Sequence, residues 1–132
     1  MRRGLMGACA VLVLALGGCG AGCADEVVQH EPSPYGEGTA IVFVRDCGGA
    51  ATAPTAQVAI VGHVDAGTRD RTVVFVADDG PGAGSSGPGE GPRVRVRWIG
   101  ANRLEIAHPP GARTSRREME HGDVRITYAA LP

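Results

Sequence analysis

Residues 93–99 read Arg-Val-Arg-Val-Arg-Trp-Ile, and this alternation of charge and apolar bulk limits the possible folds more than any other feature. A period of two puts Val94, Val96 and Trp98 on one side of an extended strand, and Arg93, Arg95 and Arg97 on the other. A helix would scatter the same residues around its axis. The apolar side has to be covered, so the pattern requires a sheet with one buried face.

The pattern resumes at residues 103–108 (Arg-Leu-Glu-Ile-Ala-His) after Gly100-Ala101-Asn102. Opposed residues in an antiparallel pair share a face. A three-residue loop sets Trp98 opposite Leu104, Val96 opposite Ile106 and Arg97 opposite Glu105. A two-residue loop would set Trp98 against Glu105 and break the apolar face. Asn102 suits the left-handed position that closes a three-residue hairpin. Alternation or apolar runs also predict strands over residues 39–45, 57–61, 71–77 and 123–128.

No amphipathic stretch is long enough for a major helix. Residues 109–122 read as irregular, with one helical turn near 115–119. Residues 79–92 are rich in Gly and Pro and cannot offset their backbone entropy by apolar burial, so a mobile loop is expected. The expected fold is mainly β: a small antiparallel sheet of about six strands, curled or sandwich-like, with long Gly/Pro-rich loops.

The N-terminus fixes where such a domain is expected to work. Met1-Arg2-Arg3 is positive, and residues 5–16 are uncharged and rich in Ala, Val and Leu. A stretch of about a dozen residues is short of the roughly 20 that span a bilayer. It suits a secretory signal. Leu16-Gly17-Gly18-Cys19 resembles the lipobox of bacterial lipoproteins, which implies residues 1–18 removed and Cys19 acylated. Several acyl chains on one cysteine make a lasting membrane anchor. The competing reading is cleavage after Ala24 and a soluble secreted protein. Residues 19–38, polar and carrying Pro32 and Pro34, read as a tether, with residues 39–132 as a single domain.

Every one of the 13 basic residues is Arg, against 14 acidic residues, and the formal net charge is −1. No global basic surface exists, which argues against nucleic acid as partner. Of the four cysteines, Cys9 lies in the leader and Cys19 is the lipidation candidate. Cys23 and Cys47 remain as a candidate disulfide for an oxidising compartment; unpaired, Cys47 would be a buried or reactive single thiol.

Arg45-Asp46-Cys47-Gly48 is the sharpest chemical cluster. An Arg beside a thiol lowers its pKa, which would suit redox chemistry. The structural alternative is a strand end, with Asp46 bonding turn amides, Cys47 buried or bridged, and Gly48 supplying an unusual backbone angle. The glycine-rich loop lacks the Lys and Ser/Thr of a phosphate loop. Asp78-Asp79-Gly80 supplies too few ligands for calcium. His30, His63, His108 and His121 have no metal-ligand spacing, and Ser85 and Ser86 lack a nucleophile elbow. Nothing in the sequence brings Glu105 and Asp123 together. No catalytic residue, metal or cofactor is nominated. Arg93, Arg95 and Arg97, with Arg125 on a neighbouring strand, form the candidate anion-binding stripe for phosphate, carboxylate or lipid headgroups.

Several segments in order also resemble an uncharacterised family of short exported bacterial proteins. They are Phe43-Val44-Arg45-Asp46-Cys47-Gly48, the strand Gln57-Val58-Ala59-Ile60, the stretch from Val74 to Asp78, and the hairpin from Val96 to Ile106. The likeness covers residues 35–128. Residues 49–54 depart from the family's tighter Ala-Thr-Thr turn. The resemblance implies a shared domain boundary and no assigned activity.

The expectation is therefore an envelope-anchored lipoprotein, a non-enzymatic binding or accessory module. Its partners would be the membrane, through its lipid, and an envelope protein or anionic envelope component. The alternative is a soluble secreted redox protein or sensor using Cys47.

Overall fold

A computed structural model describes residues 22–36, 38–48, 53–62, 71–79 and 91–132. The leader with Cys9 and Cys19, His63, and residues 80–90 with Ser85 and Ser86 lie outside the described residues.

The described residues form nine strands and no helix. These are β1 (Ala24–Pro32), β2 (Thr39–Asp46), β3 (Thr55–Val61), β4 (Arg71–Asp78), β5 (Arg95–Gly100), β6 (Arg103–His108), β7 (Arg113–Arg117), β8 (Glu120–His121) and β9 (Val124–Ala130). They build one sheet of order β1-β2-β3-β4-β7 and a second of order β5-β6-β9-β8. All neighbours are antiparallel except β6 and β9. A parallel pair needs a crossover connection. Here the chain leaves β6, adds β7 to the edge of the first sheet, and returns through β8.

The protein is thus mainly β, with two sheets that are not closed into a barrel and that share one core. Ala40 and Val42 of β2, Val58 and Ile60 of β3 and Val74 of β4 belong to the same buried cluster as Trp98, Leu104, Ile106 and Ile126 of the second sheet. Burial of each large apolar side chain contributes about 1.5–3 kcal/mol. The interior is continuous at the sheet ends as well. A Cβ on Gly91 would stand 3.1 Å from the backbone nitrogen of Ala56, so the approach to β5 passes close against β3 at a glycine, where any side chain would press on the strand.

The β5–β6 register matches the alternation: Trp98 faces Leu104, Val96 faces Ile106 and Arg97 faces Glu105. The closure differs from the expected three-residue loop. Gly100 pairs with Arg103 across a bulge at Ile99, and Ala101-Asn102 alone make the turn. The bulge absorbs the odd residue, so the apolar face stays in phase. Asn102 is not left-handed; among the described residues only Gly48 and Gly122 have positive φ.

Two further expectations are corrected. The supposed tether over residues 19–38 contains β1, the edge strand of the first sheet. Its residues are mostly exposed and show no apolar alternation, so its order comes from ties to distant residues. The helical turn expected near 115–119 is replaced by β7, whose five residues are all exposed and which pairs with β4 on either side of a register shift at Ser115. Arg113 reinforces that pairing through Asp78 at 3.1 Å.

Three ties hold β1. Its ladder with β2 runs from Ala24 opposite Asp46 to Pro32 opposite Thr39. A disulfide joins Cys23 to Cys47, the next opposed positions outward. Across to the second sheet, the Gln29 carboxamide donates to the Val96 carbonyl at 3.0 Å and accepts from the Val96 N–H at 3.0 Å. Replacing Gln29 by Ala strands both groups on a part-buried edge. Urea denaturation should show a loss of about 1–3 kcal/mol, and an unchanged midpoint would mean that water replaces the amide.

Candidate functional site

In β5 the side chains of Val96 and Trp98 point into the core, so Arg95 and Arg97 face out, and Arg93 continues the exposed alternation just ahead of the strand. Cross-strand partners share a face. Leu104 and Ile106 are fully buried, which places Arg103 and Glu105 outward on β6. The parallel register sets Arg103 beside Arg125 and Glu105 beside Thr127, so Arg125 lies on the same face. Glu120 pairs with Arg125 from β8. The outer face of the second sheet therefore presents five arginines against two glutamates, a surplus of three positive charges in a chain whose net charge is −1.

Arg97 spends part of its charge on Glu105 at 3.1 Å, with its own side chain 71% exposed. Such surface pairs contribute about 0–1 kcal/mol. Arg93 and Arg95 make no ion pair among the described residues. They line an open groove of about 870 Å³ between β5 and the β1 edge, with Val28, Pro92, Val94 and Pro109 as its apolar walls and Glu26 and Asp79 at its acidic margin. The structure thus keeps Arg93, Arg95 and Arg97 together; Arg125 shares their face but lies beyond β6, beside Arg103, and not on a strand next to β5. Arg103 was missed as a member. The same alternation that paired Arg97 with Glu105 carries it, two residues earlier on β6.

The two ends of the sandwich differ. Strand directions and the contact of Gly91 with Ala56 gather Cys23, Cys47, Arg93 and His108 at one end. Arg103, Arg125 and the β5–β6 turn lie at the other, where a Cβ on Gly36 would meet the Ala101 carbonyl.

At the first end, the Asp46 carboxylate accepts the Gly48 N–H at 2.9 Å, and Gly48 takes φ +71°. Cys47 is bonded to Cys23 and offers no free thiol in this state. Arg45 grips Asp25 through two hydrogen bonds of 2.8 and 2.9 Å. Phe43, fully buried, lies beneath the guanidinium of Arg71 at 4.1 Å, with that of Arg45 at 5.6 Å.

The other candidates do not converge. Glu105 pairs with Arg97, whereas Asp123 sits in the β8–β9 turn. His108 stacks on Phe75 at 5.2 Å, and His30 and His121 belong to β1 and β8. Among the described residues, no three of His, Cys, Asp and Glu come together as metal ligands. Tyr128 donates to the Glu118 carbonyl and lies under Arg117 at 4.2 Å; burial pushes its pKa up to about 12. No family model, curated protein or solved structure matches the chain.

The hydrogen bonds from Arg45 hold the Asp25 carboxyl below its ordinary value of 3.8. A depressed carboxyl contributes stability that is full above its unfolded pKa and is lost as pH falls through the folded one. Acidification below about pH 4 should therefore destabilise the native protein more steeply than Asp25→Asn. Parallel acid-denaturation curves for the two would refute this.

Proposed function

We propose that this chain is an envelope-anchored lipoprotein whose β domain is a non-enzymatic module that binds an anionic envelope component. The observation that carries the binding reading is the outer face of β5, β6 and β9, which bears five arginines along its length although the chain as a whole is slightly acidic. Guanidinium groups bind phosphate and carboxylate through paired N–H donors. Arg93 and Arg95 are exposed and make no ion pair with a carboxylate among the described residues. The anchor reading rests on the leader and Cys19. The Cys23–Cys47 bond is in keeping with an oxidising, extracytoplasmic setting. Membership of the exported family that the chain resembles is part of the same proposal and adds no chemistry to it.

Two measurements test the two halves. The intact mass of protein from a membrane fraction should correspond to a chain starting at Cys19 with acyl mass added; an unmodified chain starting near Asp25 would overturn the anchor. For the binding face, the triple variant R93Q/R95Q/R97Q should fold normally and elute from phosphocellulose at clearly lower salt than the native protein. Equal elution would overturn the anionic-ligand reading.

A further inference from the structure

We infer that the domain is held on the membrane surface, not away from it, with the Arg93, Arg95 and Arg97 stripe seated on anionic lipid headgroups. The inference rests on the lipoprotein reading of Cys19 and names the ligand of the arginine face.

The first argument is length. A polar tether of about 20 residues would have an end-to-end distance of roughly 25 Å. The structure removes most of that tether, because Ala24–Pro32 is β1 and Cys23 is bonded to Cys47. Only the covalent steps from Cys19 to Cys23 remain, and fully extended they reach about 14 Å. Packed sheets lie about 10 Å apart. With the second sheet facing the bilayer, that reach covers the sheet spacing and only part of the arginine layer beyond it, so the guanidinium groups lie among the headgroups with no intervening layer of solvent.

The second argument is charge. The screening length at physiological salt is about 8 Å, so attraction between surface and protein works only at this short range. Of the acids on β1, Asp25 is paired with Arg45, which leaves Glu26 and Glu31 to be repelled by an anionic surface. The β5 side carries Arg93, Arg95 and Arg97, two of them without an ion-pair partner among the described residues. The leash leaves from the end of the sandwich that holds Arg93. β1 and β5 are adjacent, so Glu26 and Glu31 border the grooves that Arg93, Arg95 and Arg97 line, and what charge turns toward the bilayer is the outer face of β5, β6 and β9, with its five arginines against two glutamates.

Trp98 is the chain's single tryptophan and lies on β5 itself, which makes it a donor for energy transfer to dansyl-labelled headgroups. The full chain, with acylation verified by mass, is reconstituted into vesicles with phosphatidylglycerol or with phosphatidylcholine alone. A second chain carries a flexible Gly-Ser spacer of about ten residues between Gly20 and Ala21, which adds roughly 17 Å of reach. On phosphatidylglycerol vesicles the native and spacer chains should show equal, strong transfer. In the spacer chain, transfer should fall on phosphatidylcholine vesicles and also with R93Q/R95Q/R97Q. In the unacylated Cys19→Ser chain, the triple substitution should weaken partitioning onto phosphatidylglycerol vesicles on the order of 100-fold. If the spacer chain loses transfer equally on both vesicle types, only the leash holds the domain near the surface, and the docking inference fails. If that loss occurs while the triple variant still elutes early from phosphocellulose, the arginine face binds another polyanion and the broader reading survives.

Discussion

One side-chain amide joins two open sheet edges. β1 borders the first sheet and β5 the second, so each leaves a row of backbone groups without a strand partner. Such edges invite unwanted pairing. Gln29 answers from β1 by offering a donor and an acceptor to Val96, much as a peptide group would. The Trp98 indole returns a second tie, donating to the Glu31 carbonyl at 2.9 Å. Because a side chain bridges the gap, the sheets are fastened on this side without merging into a barrel. The bulge between Val27 and Gln29 sets the phase in which this contact is made.

That tie also explains which parts of the fold were legible. The hairpin register could be read because its information is local: alternation on two adjacent segments and one buried face decide it. The turn at Asp46-Cys47-Gly48 was legible for the same reason, since a short carboxylate and a glycine fix it within three residues. β1 was not legible. Its residues carry no periodic apolar signal, and Gln29 finds Val96 67 positions away. β7 fails in the same way, as Arg-Thr-Ser-Arg-Arg becomes a strand only because the β4 edge offers it a ladder and Asp78 an anion for Arg113.

The arginine face was half legible for a related reason. Alternation alone gives Arg93, Arg95 and Arg97 a common side. Joining Arg103 and Arg125 to them requires the parallel pairing of β6 with β9, which depends on a crossover through the other sheet. Sequence periodicity does not encode the order of strands in a sheet.

That pairing has an energetic consequence. Arg103 and Arg125 sit side by side, and like charges on neighbouring strands oppose folding. Glu105 and Glu120 offset only part of this, because exposed pairs contribute about 0–1 kcal/mol at best. The face therefore adds little to the stability of the domain that bears it, and its carboxylates leave a surplus of positive charge on it. Along a strand the arginines recur every second residue, about 6.6–7 Å apart, and neighbouring strands stand about 4.8 Å away. A rigid polyanion has to match that grid. Lipid headgroups diffuse laterally and can gather beneath the guanidinium groups whatever the spacing, so a fluid anionic surface fits this pattern with the least demand on its partner.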